Sequence, residues 1–253
     1  MKANSDDWYK RGWTLDIKNM SWVEDTENQV DFIIKTLGLN GKERILDLGC
    51  GYGRHSLSFA SRGFDVVGVD ITKEFIDDAV VNAKEESLNA EFILSDIREL
   101  SYNEEFDVVL NLADGAVGYL ENDDENLKIF DVIAKSLKPG GKHFMDIGNA
   151  EHAEAFFPKR SWAIGENEFS FSEFEWDSKR RVMLYAGGGF RYGEIAKHPE
   201  ELAGNPTRLY SRDELTDIFK QRNMEIIDTF SDYDGNPASV DELQLMVYSQ
   251  KHF

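Results

Sequence analysis

Three glycines at alternate positions, Gly49, Gly51 and Gly53, follow directly on an apolar run and form the stretch of the chain best suited to bind a ligand. Glycine lets the backbone turn tightly there and approach a ligand without a Cβ in the way. The next apolar run ends in Asp70, whose carboxylate can accept hydrogen bonds from two ribose hydroxyls. The spacing therefore predicts a strand, a turn, a helix and a second strand that together bind a nucleoside.

The acidic residue Asp47, two positions before the first glycine, discriminates between nucleoside ligands. A dinucleotide fingerprint has the spacing G-x-G-x-x-G and holds a pyrophosphate at the helix start. A carboxylate at this position would repel that phosphate but would suit an ammonium group. Residues 45–53 resemble, without a gap, motif I of the class I S-adenosylmethionine-dependent methyltransferases, whose pattern is (I/V)LDLGCGxG. The resemblance implies S-adenosylmethionine as the cofactor and methyl transfer as the reaction.

Two other functions stay open at this point. A nicotinamide-dependent oxidoreductase would share the nucleoside-binding unit, although Asp47 and the glycine spacing do not suit it. Saturable binding of NAD(H), with none of S-adenosylhomocysteine, would favour that alternative. A protein that binds the cofactor without transferring a methyl group would keep the same motif.

Further cofactor contacts are predicted from the residues that follow each strand and from the N-terminal arm. The guanidinium of Arg54, at the start of the helix after the turn, can pair with the cofactor carboxylate, although a surface arginine is an equal alternative. In the family that the chain resembles, residues matching Asp96 and Ile97 hold the adenine. The predicted contacts are Tyr9, Trp13, Asp47, Gly49, Cys50, Gly51, Gly53, Arg54, Asp70, Ile71, Asp96, Ile97 and Asn111.

The loop after the fourth apolar run is the predicted place where the methyl group meets its acceptor. It reads NLADGAVGY over residues 111–119. It lacks the Asn/Asp-Pro-Pro-Tyr/Phe sequence found there in the family's nucleic-acid and protein-glutamine enzymes, which argues against those substrates. An amine acceptor must lose a proton before attack. The candidate side chains for assisting this step are Asp114, Tyr119, Tyr192 and His198, although residues of these types more often have a structural role.

The composition limits the class of partner. The chain has 253 residues, with 28 lysines and arginines against 48 aspartates and glutamates, so that its formal net charge is −20. A polyanion would be repelled at long range, because nucleic-acid binding relies on basic side chains that neutralise phosphates. No apolar run approaches the roughly 20 residues of a membrane helix, and no signal-peptide core is apparent. We therefore expect a cytoplasmic protein that binds neither nucleic acid nor membranes.

Cysteine and histidine usage predicts neither disulfides nor a metal site. Cys50 is the one cysteine, and it lies within the glycine turn. The five histidines lack the short spacing of two ligands on one helix. The abundant acidic residues are consistent with a solvated surface.

The fold class that positions these residues is α/β. The pattern predicts a Rossmann-like, doubly wound seven-stranded sheet with its last strand antiparallel, in a single domain of residues 1–253. The sequence LKPGG at residues 137–141 resembles the same family, in which it joins a helix to the fifth strand. Residues 158–210 alternate in polarity and predict an inserted antiparallel β lobe. Residues 1–38 resemble the family's lid arm, with Tyr9, Trp13 and Trp22 as lid residues or as aromatics that attach the arm to the core.

The predicted acceptor is a small amine or hydroxyl compound. The acidic composition and the aromatic rings of the arm and lobe suit a neutral or cationic molecule, since aromatic faces attract cations. We expect it to bind between residues 114–119, the arm and the part of the lobe around Tyr192. The aromatic lobe has a second interpretation, as the contact of a homodimer.

Overall fold

The computed structural model describes residues 1–19, 23–165, 168–195 and 203–253, and its central element is a seven-stranded sheet. The helices are α1 (Thr26–Leu37), α2 (Arg54–Ser61), α3 (Lys73–Glu85), α4 (Asp123–Ser136), α5 (Ala150–Phe156) and α6 (Arg212–Lys220). The strands are β1 (Lys2–Ala3), β2 (Arg44–Leu48), β3 (Asp65–Asp70), β4 (Ala90–Leu94), β5 (Phe106–Asn111), β6 (Leu137–Gly148), β7 (Lys159–Ile164), β8 (Glu168–Asp177), β9 (Val182–Arg191), β10 (Ala203–Arg208), β11 (Met224–Phe230) and β12 (Gln244–Lys251).

The strand order of this sheet, β11-β12-β6-β5-β2-β3-β4, confirms the predicted doubly wound fold. Strands β4, β3, β2, β5 and β6 run parallel, and the last strand, β12, is antiparallel to both of its neighbours. The chain moves outward in one direction from β2 and in the other from β5. The carboxyl ends of these two adjacent strands therefore flank the crevice in which open α/β sheets bind ligands.

Alternate residues of the central strands face two separate hydrophobic cores. In β2, Ile45 packs in one core while Leu46 and Leu48 pack in the other. The first core also contains Ile33 of α1 and Phe59 of α2, and the second contains side chains from α4 and α6. Both faces of the sheet are thus covered by helices, which explains why the parallel strands read as continuous apolar runs.

The helix ends follow signals that are visible in the sequence. Helix α1 ends at Gly38, which has a φ of 60° and so adopts the left-handed conformation that glycine accepts most readily. Helix α6 begins with a capping box, in which Ser211 and Glu214 each bond the other's backbone N–H. None of the helices in the described ranges combines the length and apolar character needed to span a membrane.

A second sheet of five strands forms the inserted lobe, which the sequence predicted as antiparallel hairpins. Strands β7 to β10 pair antiparallel in chain order, and β1 of the N-terminal arm adds to β10 in parallel. The outer strand β7 is exposed along its whole length, with Trp162 and Ile164 as its large apolar side chains. The homodimer contact expected through the aromatic lobe remains a prediction.

Candidate functional site

A cavity of about 830 Å³ lies at the carboxyl ends of β2 and β5. Its volume is within the range typical of small-molecule sites, roughly 300–1,000 Å³. The glycine turn, the loop after β5, the N-terminal arm, the lobe and the segments around β12 all contribute to its wall. Its described lining carries one arginine, one histidine and six aspartates, namely Asp16, Asp47, Asp70, Asp114, Asp146 and Asp232.

Each of the three glycines in the turn is needed for a different structural reason. All adopt positive φ values, 72° at Gly49, 57° at Gly51 and 80° at Gly53. A Cβ on Gly49 would lie 3.0 Å from the backbone of Gly115, so this position lets the turn touch the loop after β5. A Cβ on Gly53 would lie 2.8 Å from the ring of Phe92. Gly53 therefore permits helix packing and does not line the cavity, whereas Gly49 and Gly51 do.

The carboxylate of Asp70 is tied into the glycine turn. Its Oδ2 accepts a hydrogen bond from the Gly51 backbone N–H at 2.9 Å, and its Oδ1 accepts one from Thr72 at 2.7 Å. Burial raises the pKa of Asp70, while these backbone donors lower it. A carboxylate has about four acceptor positions. Asp70 therefore retains capacity for further donors on the side where it and Ile71 line the cavity.

Asp47 and Cys50 are buried beneath the same turn and also line the cavity. The hydroxyl of Ser56 donates to Asp47 Oδ2 at 2.6 Å. Burial raises the pKa of Asp47 to about 6. The pKa of the Cys50 thiol is raised by burial first and then by the charges of Asp47 and Asp70, so this cysteine is a neutral packing group.

Arg54 and His55, at the start of α2, line the cavity beside the turn. Arg54 Nη1 donates to Thr26 Oγ1 and to Gln29 Oε1, both at 2.7 Å. His55 Nε2 shares the same Gln29 oxygen at 2.8 Å, and burial lowers its pKa well below the ordinary value. His55 is therefore a neutral donor, and the positive charge at this end of the cavity belongs to Arg54.

The loop after β5 enters the site through a left-handed turn. Four consecutive residues, 113–116, have φ values of 51°, 69°, 49° and 63°, although only Gly115 favours such angles. A non-glycine residue held in this conformation costs about 1–2 kcal/mol. Strain of this kind concentrates at functional sites because the surrounding structure must impose it. Here the turn places Asp114 in the cavity wall, with its backbone N–H bonded to the Asp146 carbonyl at 2.8 Å.

Two tyrosine–aspartate pairs stand at this side of the cavity. Tyr119 donates its hydroxyl to Asp114 Oδ2 at 2.8 Å, and Tyr233 donates to Asp146 Oδ2 at 2.9 Å. Burial, followed by the charge of Asp114, raises the pKa of Asp146 to about 7. Burial also raises the pKa of Asp114. The pKa values of both tyrosines are raised well above 10, so each stays a hydrogen-bond donor.

The N-terminal arm closes the cavity on the lobe side. Trp8 contacts Tyr119 with ring centroids 4.8 Å apart, and Trp13 stacks on the same ring at 6.4 Å. Tyr9 donates to Glu121 at 3.0 Å, and both Tyr9 and Trp13 line the cavity. Further along, Lys18 pairs with an aspartate of α3. The arm therefore lines the cavity and is attached on both sides of its lining residues, and its role as a lid stays a prediction.

Some predicted site residues do not reach the cavity. Asp96 accepts three hydrogen bonds from the Arg98 guanidinium, at 2.6, 2.9 and 3.1 Å, and Ile97 packs in the core. These two residues therefore do not line the cavity, and their adenine contact stays a prediction. Tyr192 is half exposed at the tip of the lobe and donates to a lobe carbonyl. His198, like Trp22, lies outside the described residues.

Asn111 is fully buried and holds the loop instead of lining the cavity. Its Nδ2 donates to the Gly115 carbonyl at 3.0 Å, and its Oδ1 lies 3.2 Å from His143 Nε2. Burial lowers the pKa of His143 to about 3, so the neutral ring donates to Asn111. The predicted cofactor contact at Asn111 is therefore replaced by a structural role.

Substitution of Asn111 by alanine should destabilise the protein. The change removes the donor of the Gly115 carbonyl and the acceptor of His143 Nε2, and each such loss costs about 1–3 kcal/mol. We expect the free energy of unfolding to fall by about 2–4 kcal/mol, measured by urea denaturation. An unchanged unfolding midpoint would contradict the structural role assigned to this side chain.

Several lining residues were missed by sequence reasoning. Asp146 lies two residues before the end of β6 and is the strongest case, because an acidic residue near the carboxyl end of a strand next to β5 is a recognisable signal. Tyr233, Met183 and Tyr185 reach the cavity from the segment after β11 and from β9, and no local pattern marks them. The described residues hold no group of three metal-binding side chains.

Comparison with known proteins agrees with this geometry. Residues 45–141 match a family model described as a methyltransferase domain. A putative methyltransferase, YqeM of Bacillus subtilis (strain 168), is 24% identical over 219 residues, which are 83% of this chain and 85% of that protein.

Solved structures share the fold at low identity. An S-adenosylmethionine-dependent methyltransferase from Clostridium acetobutylicum superimposes with a TM-score of 0.74 at 18% identity, covering 90% of this chain and 93% of that one. The 1,6-didemethyltoxoflavin-N1-methyltransferase of Burkholderia thailandensis has a TM-score of 0.60 at 16% identity, with 98% and 85% covered. Residues 45–141 therefore form a methyltransferase domain, and the chain has the fold of S-adenosylmethionine-dependent methyltransferases.

Proposed function

We propose that the protein transfers the methyl group to a small-molecule amine or hydroxyl acceptor bound in the same cavity as the cofactor. The observation that carries this proposal is the enclosure of the site. Trp13 of the arm, Tyr119 of the loop and Tyr185 of the lobe all line one cavity of about 830 Å³. A space walled on these sides suits a molecule of limited size better than a segment of a polymer.

The residues around the glycine turn fit S-adenosylmethionine. A Cβ on Gly51 would have only Phe75 within 4 Å, so a ligand can approach this backbone closely. We propose that Asp70 accepts hydrogen bonds from the ribose hydroxyls, that Arg54 pairs with the carboxylate, and that Asp47 favours the ammonium end. The excess of aspartates in the lining also complements a cationic cofactor. When bound, S-adenosylmethionine supplies a methyl group on a positively charged sulfur.

The chain's own contribution to catalysis would be alignment and exclusion of water. In-line attack requires the nucleophile to be held in line with the methyl carbon, and orientation alone can supply roughly 7–11 kcal/mol of the barrier. The rings of Trp8, Trp13 and Tyr119 pack on one another at the mouth. This cluster gives the site a rigid apolar wall against which a small acceptor can be held.

The charge and the loop sequence support the same substrate class. A net charge of −20 opposes nucleic acid as a substrate. The loop of residues 111–119 lacks a Pro-Pro pair and folds as a left-handed turn. The Burkholderia neighbour was solved with 1,6-didemethyltoxoflavin and S-adenosylhomocysteine bound, so this fold can accommodate a small acceptor.

The test is methyl transfer to fractions of a bacterial extract separated by dialysis. We expect release of S-adenosylhomocysteine with the dialysable fraction and none with the retained protein and nucleic acid. A Gly51→Val variant, which we expect not to bind the cofactor, provides the background rate. Turnover confined to the retained fraction would overturn the small-molecule assignment.

A further inference from the structure

Two carboxylates in the cavity wall, Asp114 and Asp146, are not used by the proposed cofactor contacts. They lie on adjacent segments, since the Asp114 backbone N–H bonds to the Asp146 carbonyl at 2.8 Å. The same loop touches the glycine turn, where a Cβ on Gly49 would come within 3.0 Å of Gly115. The two acids therefore stand directly beside the turn that holds the cofactor.

The hydrogen bonds of this pair are incomplete. Asp146 is only 5% exposed, and its Oδ2 accepts from Tyr233. Its Oδ1 is buried without a hydrogen-bond partner among the described residues. The backbone of Ala113 is near enough to lower the pKa of the Asp146 carboxyl group. Asp114 has Tyr119 as its side-chain donor. Asp146 is a lining residue of the cavity. A buried carboxylate oxygen that lacks a partner at such a residue indicates a missing donor.

The charged groups around the pair do not neutralise it. Arg54 faces Asp146 from α2 and lowers its pKa, but its Nη1 donates to Thr26 and Gln29. Tyr119 and Tyr233 are neutral hydrogen-bond donors and bring no positive charge. The charge of Arg54 is also shared with Asp47 of β2. Two carboxylates in a low-dielectric site are costly unless a cation accompanies them.

We propose that the acceptor is an amine that enters as an ammonium ion beside Asp114 and Asp146, and that Asp146 Oδ1 takes its proton before methyl transfer. This inference rests on the proposed function and narrows its acceptor from amine or hydroxyl to amine. A hydroxyl acceptor would bring no positive charge and would leave both carboxylates uncompensated.

The step balances in protons and electrons. The ammonium group gives one proton to the Asp146 carboxylate and becomes a neutral amine with a free lone pair. That lone pair forms the new N–C bond while the C–S bond breaks and its electron pair stays on sulfur. The products are a methylated ammonium ion and a neutral thioether, and the proton on Asp146 passes to solvent when the product leaves.

The electrostatics of Asp146 suit this role. Burial and the neighbouring charge of Asp114 raise its pKa to about 7. A base is most effective when its pKa lies near the working pH, because it is then both available and able to hold the proton. The active form is the carboxylate, so the rate with an amine should rise as the pH increases through about 7.

The experiment compares wild type, Asp146→Asn and Asp228→Asn on matched amine and alcohol pairs, starting with benzylamine and benzyl alcohol. Asp228 is an exposed aspartate of β11 outside the cavity, and its substitution is the control for loss of one negative charge. S-adenosylhomocysteine release gives the rate, and calorimetry gives the affinity for S-adenosylhomocysteine in all three proteins.

We expect turnover of amines by wild type and by Asp228→Asn. In Asp146→Asn the rate should fall by about 100-fold, the loss typical of a removed general base. Affinity for S-adenosylhomocysteine should change less than about threefold, which is under 1 kcal/mol. The rise in rate near pH 7 should disappear in this variant, leaving only the titration of the amine itself near pH 10.

The inference would be overturned if wild type turned over only alcohols or no amine in the set. It would also be overturned if Asp146→Asn turned over amines with an unchanged rate and pH profile. These outcomes are distinct from failure of the proposed function. If the wild type did not bind S-adenosylhomocysteine at all, the methyltransferase site itself would be misplaced.

Discussion

Replacing Gly51 by valine should abolish cofactor binding while the chain stays folded. A Cβ at this position would have only Phe75, at 3.9 Å, within 4 Å, and Gly51 lines the cavity. The branched side chain would therefore occupy space that the ligand needs, while its Cβ makes no close contact with the protein. We expect the dissociation constant of S-adenosylhomocysteine to rise by at least about 100-fold, roughly 2.8 kcal/mol, as measured by titration calorimetry.

Backbone strain is the competing explanation, and Gly38 provides the matched control. It has a φ of 60°, against 57° for Gly51, and a Cβ there would have no neighbour within 4 Å. Valine should cost about 1–3 kcal/mol of folding free energy at either position, because side chains rarely adopt this conformation. Gly38→Val should nevertheless bind S-adenosylhomocysteine normally. Normal binding by Gly51→Val would contradict the position of the cofactor proposed here.

The central sheet and the glycine turn could be predicted because their signals are local. Each parallel strand is a short apolar run, and a glycine, an acidic residue or, in β5, an asparagine marks its carboxyl end. The capping box at Ser211 and Glu214 is set by the spacing of two side chains on one turn of helix. Such features depend on neighbouring residues and so can be recognised before the fold is known.

Two of the predicted cofactor contacts that do not line the cavity, Asp96 and Asn111, show where local reasoning fails. Asp96 has the right type and position at the end of β4, but Arg98 binds its carboxylate. Asn111 lies at the end of β5, yet the left-handed turn after it folds back over the side chain. In both cases a competing partner decides the side chain's direction, and strand position alone does not reveal that partner.

The remaining parts of the site depend on contacts between distant segments. β1 consists of two residues and pairs with β10 about two hundred positions away, so no sequence pattern predicts it. Asp146 of β6 pairs with Met246 of β12, and β12 in turn pairs with β11, after which Tyr233 follows. The order of the strands in the sheet therefore brings the acidic pair and its tyrosine donors together.

Alanine in place of Asp70 is expected to weaken cofactor binding by about 2–4 kcal/mol, or roughly 30- to 1,000-fold. The ribose hydroxyls would lose their proposed acceptor. The backbone N–H groups of Gly51 and Thr72 would also lose theirs, so the turn itself would become less ordered. Asp65→Ala, at the exposed opposite end of β3, controls for loss of an aspartate from the same strand.

Ligand-induced stabilisation separates the two contributions at Asp70. At a concentration a hundred times the wild-type dissociation constant, S-adenosylhomocysteine should stabilise wild type and Asp65→Ala by about 2.7 kcal/mol. A 100-fold weaker Asp70→Ala variant should gain only about 0.4 kcal/mol at that concentration. The loss of stability without ligand measures the turn, and the missing increment measures the ligand contact. An increment in Asp70→Ala equal to that of wild type would show that Asp70 orders the turn and takes no part in holding the ribose.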